Sequence, residues 1–196
     1  QRVNPFASYG TPKKGDFLYK DLNGDGVIDD NDKYAVGHGL APRLTYGFSL
    51  GAEWNGFDFS CLFQGNAGLQ VYWQDKFYMG YINYGDVINK EIAEGAWREG
   101  RTNATYPRLL TGLNTLNAQP SDFWVQNKSY LRLKNVQIGY KIPKKLLQKL
   151  DISQLRLYTS LENMLTFTSY KGIDPEISGT TYPTMKQITV GVNVVF

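Results

Sequence analysis

The sequence predicts an all-β chain of antiparallel, up-and-down strands, each with one apolar face. Three observations predict it. The last eleven residues, KQITVGVNVVF, put Ile188, Val190, Val192, Val194 and Phe196 at alternate positions, with Thr189, Gly191, Asn193 and Val195 between them. That period of two marks a strand with one apolar face and one polar or small face. Arg43 to Trp54 alternates in the same way and runs into Asn55-Gly56, the strongest short-range hairpin signal. Composition agrees: 14 Tyr, 10 Phe and 20 Gly among 196 residues suit strands, turns and aromatic belts.

Other function classes fall away on composition. A net charge of +3 with no basic stripe argues against nucleic acid. The single cysteine allows no internal disulfide. No apolar run approaches the ~18 residues that a membrane helix needs. The chain opens on QRVNPFASYG without an initiator Met or a signal peptide, so a fragment or processed piece of a longer protein is expected.

Residues 1–42 read as loop, with Asp16 to Lys20 as a possible short strand. Within them lies the sharpest motif, DLNGDGVIDDND. Asp21, Asn23, Asp25, Val27, Asp29 and Asp32 occupy positions 1, 3, 5, 7, 9 and 12 of a calcium loop of the EF-hand type. Gly26 sits at position 6, where the backbone turns sharply, and Ile28 at the apolar position 8. A hard cation takes six to eight oxygens at ~2.3–2.6 Å, and alternate side chains of a tight loop supply them, with the Val27 carbonyl as one. Position 12 is Asp32 rather than Glu, which weakens closure, and neither flank reads as an amphipathic helix. Ca²⁺ is the expected cofactor; an Asx- and Gly-rich turn without an ion is the alternative.

Strands are expected at about 43–54, 57–71, 129–142, 154–165 and 187–196. Leu44, Tyr46, Phe48, Leu50, Ala52 and Trp54 share one face of the first, and Phe57, Phe59, Cys61 and Phe63 one face of the second. Leu62 breaks the pattern. In the third, Tyr130, Val136, Ile138, Tyr140 and Ile142 share parity while Leu131 and Leu133 take the other, so a bulge or a protein-covered inner face is expected near Lys134. KKLLQKLDIS reads as a linker of one or two helical turns. In the fourth, Leu155, Leu157, Leu161 and Leu165 oppose Arg156, Tyr158, Ser160 and Glu162. Faces so apolar need lipid or another layer over them.

Residues 72–127 and 167–186 are expected as long loops, with a short helix over Asp86–Trp97 capped by Asp86. Tyr72, Trp73, Phe77 and Tyr78 begin an aromatic cluster able to stack on a ligand such as a sugar ring. A membrane-interface belt or loop packing explains it equally well. His38, the only histidine, has no nucleophile near it in sequence, and Cys61 lies on an apolar face. Asp174 and Glu176 flank Pro175 as a rigid turn. Asn103-Ala104-Thr105 matches a glycosylation acceptor of the kind common by chance. No constellation supports an enzyme.

The ordered series GDFLYKDLNGDGVIDDND, PRLTYGFSLGAEWNGFDFSCLFQG, YPRL, SYLRLKNVQIGYKIP and LRLYTSLENMLTFTSYKGIDPE, ending on an aromatic residue, resembles the C-terminal part of SusC-like (SusC/RagA) TonB-dependent outer-membrane transporters. It covers Gly15 to Phe196. The resemblance implies the C-terminal strands of a 22-stranded barrel with an N-terminal plug. It also implies a SusD-like surface lipoprotein as partner, TonB acting through the absent N-terminal part, and import of a glycan or peptide across the outer membrane. Plug and TonB-contacting segment are not in this sequence, and five strands are less than a quarter of such a barrel.

Strand direction gives a check independent of the resemblance. With Phe196 at the periplasmic rim, the alternating directions place Asn55-Gly56 and residues 143–153 in the periplasm. They place 72–127, 167–186 and the calcium loop outside. Every long connection falls on one side, as in outer-membrane barrels. A barrel segment also needs its partners, because the open edges must pair with the remaining strands and the apolar face must meet outer-membrane lipid. Two other classes stay open from the sequence: a passive outer-membrane pore, and a soluble calcium-stabilised β-rich module that binds carbohydrate.

Overall fold

The computed structural model describes residues 11–37, 39, 41–72, 81–82, 88–111, 116–117, 119–148, 151–177 and 182–196. The chain divides into two units, one comprising residues 1–37 and 72–125, the other 38–71 and 126–196.

The second unit is built on one antiparallel sheet. Its strands are β1 (Leu44–Trp54), β2 (Phe57–Ala67), β7 (Tyr130–Lys141), β8 (Gln154–Thr168) and β9 (Gln187–Val195), in spatial order β1-β2-β7-β8-β9. The sheet is open, with β1 and β9 at its edges. Asn55 (φ 48°) and Gly56 (φ 87°) join β1 to β2 in the positive-φ pair that a two-residue hairpin needs, and the Lys141 amide donates to the Gly56 carbonyl at 2.7 Å. β2 stops at Ala67, short of 71, because Gly68 takes φ 72° and turns its amide to Ser129 Oγ. The short strands β3 (Gln70–Tyr72) and β6 (Val125–Asn127) form a separate pair. Helix α2 (Lys144–Leu147) supplies one turn between β7 and β8.

Register sorts the side chains. Directly paired residues share a face, and the pairs Phe48↔Phe63, Leu50↔Cys61, Cys61↔Val136, Val136↔Leu161 and Leu161↔Ile188 carry one apolar face across all five strands. Leu44, Tyr46, Phe48, Leu50, Val136, Ile138, Leu155, Leu157, Ile188, Val190, Val192 and Val194 all lie on it. Glu53, Asp58, Arg156 and Glu162 lie on the other, beside Ser60, Gln64, Gln137, Ser160 and Asn193. Phe48 and Phe63 stack at 4.9 Å, yet most of this face stays open: Trp54 and Val190 are 78% and 77% exposed.

The parity break in β7 is a bulge. Leu62 pairs with Asn135 and Phe63 with Leu133, so Lys134 is skipped; on the far side Asn135 pairs with Glu162 and Leu133 with Leu165. The slip returns Leu131 and Leu133 to the apolar face, which corrects their expected place on the opposite one. Tyr130 moves the other way. It pairs with Asn66 and Thr168 on the polar face and is buried. Asn163 absorbs the matching irregularity in β8 at φ 53°, a conformation Asn tolerates better than most residues.

The first unit is loop-rich but packed. Helix α1 (Lys90–Gly95) is capped by Asn89, whose Oδ1 accepts the Glu91 amide at 2.9 Å; Asp86, the expected cap, lies outside the described residues. Strands β4 (Tyr81–Ile82) and β5 (Leu110–Thr111) pair in parallel. Asp16 to Lys20 forms no strand: its backbone is held by side chains, with the Phe17 amide donating to Asn117 Oδ1 at 2.9 Å. Trp124 is 1% exposed, takes Phe17 and Tyr72 against it, and donates from Nε1 to the Asn117 carbonyl.

Candidate functional site

The polar face of the sheet is the larger candidate. Its chemistry concentrates in two places, each depending on small local devices. Near the β1–β2 hairpin, Arg156 on β8 donates from Nε to Asp58 Oδ1 on β2 at 2.8 Å and from Nη2 to the other oxygen, while Nη2 also reaches Gln137 Oε1 at 3.1 Å. The pair spans two strand spacings, over β7. Gly139 makes that possible, because a Cβ there would sit 2.6 Å from Asp58 Oδ1 and from Arg156 Nε. A bidentate Arg–carboxylate pair at about 15% exposure is well above the worth of a surface pair. Lys141 and Glu53 approach at 3.5 Å.

The second concentration lies beside the β7 bulge. Arg132 donates to Thr166, Glu176 and Asp174, and Lys134 to Glu176. From the sequence alone, Asp174 and Glu176 form an isolated turn. The available signal was Arg132 and Lys134, two cations in an otherwise uncharged stretch of β7, against a later segment with two carboxylates.

The calcium-type loop belongs to the first unit. Asp21 accepts the Gly24 amide at 2.6 Å and the Gly26 amide at 2.9 Å, while Asn23 Oδ1 and Asp25 Oδ1 accept the Asp25 and Val27 amides. Asp32 closes the loop, taking the Leu22 amide at 2.7 Å and the Asp29 amide at 2.9 Å. Asp29 caps a 3₁₀ turn, Asp30–Asp32. These amide donors hold the Asp32 carboxyl below the usual carboxylate range. Gly24 and Gly26 take φ near +80°, and a Cβ at either would meet no neighbour, so backbone conformation rather than space selects glycine there. The oxygens are hard donors of the type calcium takes. Among the described residues no three His, Cys, Asp or Glu side chains converge closely enough to hold an ion together.

Leu22, Ile28, Asp29 and Asp32 also line an open cleft of about 640 Å³, together with Phe17 and Tyr72. Of the aromatic residues offered for stacking, Tyr72 is partly buried against Trp124. Trp73, Phe77, Tyr78 and His38 lie outside the described residues.

Solved structures share this architecture. The chain superposes on the RagAB peptide importer in its open-open state with a TM-score of 0.67 at 29% identity, covering 87% of this chain and 19% of that one. The closed-closed state gives 0.66 over 89%. The fold is that of the C-terminal barrel portion of SusC-like TonB-dependent receptors. Curated relatives agree: TonB-dependent receptor P3 of Formosa agariphila is 31% identical over 95% of this chain, and TonB-dependent receptor SusC of Bacteroides thetaiotaomicron 27% identical over 91%. The chain spans 20% and 17% of those relatives' lengths. No protein-family model matches it. These relatives are named as TonB-dependent receptors and, for the solved structures, as a peptide importer.

Proposed function

We propose that this chain forms part of the wall of a TonB-dependent outer-membrane importer that takes up glycans or peptides with a SusD-like lipoprotein. One observation carries the reading. Five strands place nearly all their large apolar side chains on one exposed face, and their charged side chains on the other. A water-soluble module would cover such a face; a barrel wall turns it to lipid and turns the polar face to its lumen. β1 and β9 meet the remaining strands of the same barrel, since open edges cannot rest in hydrocarbon. The Asn55-Gly56 turn lies on the periplasmic side and the long loops outside. TonB acts through the part of the receptor that precedes this chain.

Uptake by cells carrying the full-length receptor, with and without TonB, tests this. Loss of oligosaccharide or peptide uptake when TonB is deleted is the expected result. Uptake that persists unchanged would assign the barrel to the passive pores.

We further propose that the loop from Asp21 to Asp32 binds one Ca²⁺ and has a structural role. Asp21, Asn23, Asp25 and Asp32 supply side-chain oxygens, Val27 its carbonyl, and Asp29 a water. The acidic side chains crowded into twelve residues repel one another, and a divalent cation offsets that repulsion. Mg²⁺ substitutes poorly, because it demands tight octahedral geometry and keeps its waters. Calorimetric titration of chelator-stripped receptor should show calcium heat that disappears in an Asp21→Ala/Asp25→Ala variant. Equal heat from both proteins, or none from either, would reduce the loop to an acidic turn.

A further inference from the structure

The segment between β8 and β9 is tied to the polar face far more heavily than a surface loop requires. Arg132, on β7, uses every edge of its guanidinium: Nε donates to Thr166 Oγ1 at 2.9 Å, Nη1 to Glu176 Oε2 at 2.5 Å and Nη2 to Asp174 Oδ1 at 2.6 Å. The Arg132 and Asp174 side chains are each 4% exposed. The second oxygen of Glu176 takes Lys134 Nζ at 2.5 Å. Asp174 in turn holds both limbs of the segment, accepting the Glu176 amide on Oδ1 and the Thr184 amide on Oδ2, both at 2.9 Å. Lys128, itself buried, donates to the Ile177 carbonyl and sits 5.5 Å from the Tyr170 ring.

Loops that open as lids have few buried contacts and solvated backbone bonds. This one has the reverse. Burial would raise the Asp174 carboxyl, but the Arg132 fork and the two amides outweigh it and hold it down at about 2. Asp174 is therefore charged throughout the working pH range. Releasing the segment would break both carboxylate bonds of Arg132 and the Lys134 bond to Glu176 at once, three charge-assisted hydrogen bonds of the stronger kind.

We propose that Tyr170–Ile177 is a fixed strap on the polar face, that Arg132 is its positioning residue, and that the strap stays closed through the working cycle. Resting on the reading of that face as the lumen wall, the strap permanently narrows the passage and presents Ile173, which is 74% exposed, to the solute as a fixed apolar contact.

Amide exchange on the purified full-length receptor tests the anchor. Arg132→Gln should speed exchange of the Glu176 and Thr184 amides by at least about tenfold while leaving the central amides of β2 and β8 as they were. If Arg132→Gln does not assemble, Glu176→Ala removes one arm of the fork and the Lys134 contact, and should give a smaller change in the same amides. Strap exchange equal to wild type in the assembled variant would overturn the proposal. In cells, Ile173→Cys on a cysteine-free background should react with a membrane-impermeant maleimide at one rate, whether or not an uncoupler has removed the proton-motive force. A rate that changes about tenfold would make the segment a lid and not a strap. The reading of the chain as part of an importer fails separately, by TonB-independent uptake, with both of these results intact.

Discussion

Arginine in place of Val190 should destabilise the barrel in a bilayer by about 2–4 kcal/mol. Val190 sits at the middle of β9, pairs with Thr159 and is 77% exposed on the apolar face. In hydrocarbon the guanidinium has neither water nor a carboxylate to meet, and near mid-strand it is far from either interface, where snorkelling would relieve it. Thr189→Arg is the internal control. Thr189 pairs with Ser160 on the polar face, so the same charge one residue away should cost less than about 1 kcal/mol. Denaturant unfolding of both variants of the full-length receptor in liposomes reads the difference directly. Equal midpoints for the two would remove the lipid from the account of this face.

Asp16→Ala should cost the first unit about 1.5–3 kcal/mol, the range for hydrogen bonds to a charged group. The Asp16 side chain is 2% exposed and accepts Arg108 Nε at 2.7 Å, Arg108 Nη2 at 2.9 Å, Asn117 Nδ2 at 3.0 Å and the Lys13 amide at 2.9 Å. Asn117 passes the link on to the Phe17 amide, and its carbonyl takes the Trp124 indole. Alanine removes the one carboxylate on which Arg108, Asn117 and the Lys13 amide converge. Burial pushes the Asp16 carboxyl up, but the donors from Arg108, Lys13 and Asn117 together hold it below the ordinary carboxylate range. A carboxyl whose folded pKa lies below its unfolded one stabilises the fold fully above the unfolded value of 3.8, and loses that contribution as pH falls through the folded one. The wild-type unit should therefore loosen on acidification below about pH 4, and Asp16→Ala should show a shallower response. Amide exchange at Phe17 and Trp124, read against pH, measures both effects; identical exchange in the two proteins would mean that the pair is solvated and of little weight.

The sheet was legible because its information is local. Alternation within each strand set the two faces, and Asn55-Gly56 set the hairpin; neither needs knowledge of distant contacts. Leu131 and Leu133 show where that logic fails. Parity counted through Lys134 puts them on the other face; the break announces a bulge or a covered inner face there, and only pairing with Phe63 and Gly65 on β2 decides for the bulge. The first unit was hardly legible. Asp16 and Arg108 are separated by 92 residues, and no periodicity announces a pair that forms between two loops. The same holds for Arg156 and Asp58, whose meeting depends on Gly139 in the strand between them. The DPE segment was read correctly as a turn and incompletely as chemistry, because its partners are on another strand.

Oxygen and water accessibility along β9 tests the central claim most directly. A single nitroxide label, moved residue by residue from 187 to 195 in the full-length receptor in liposomes, reports whether each position faces lipid or water. The account predicts alternation: 188, 190, 192 and 194 accessible to oxygen and shielded from a polar nickel reagent, and 187, 189, 191 and 193 the reverse. A profile without period two, or one with the polar reagent reaching Val190 and Val192, would contradict it.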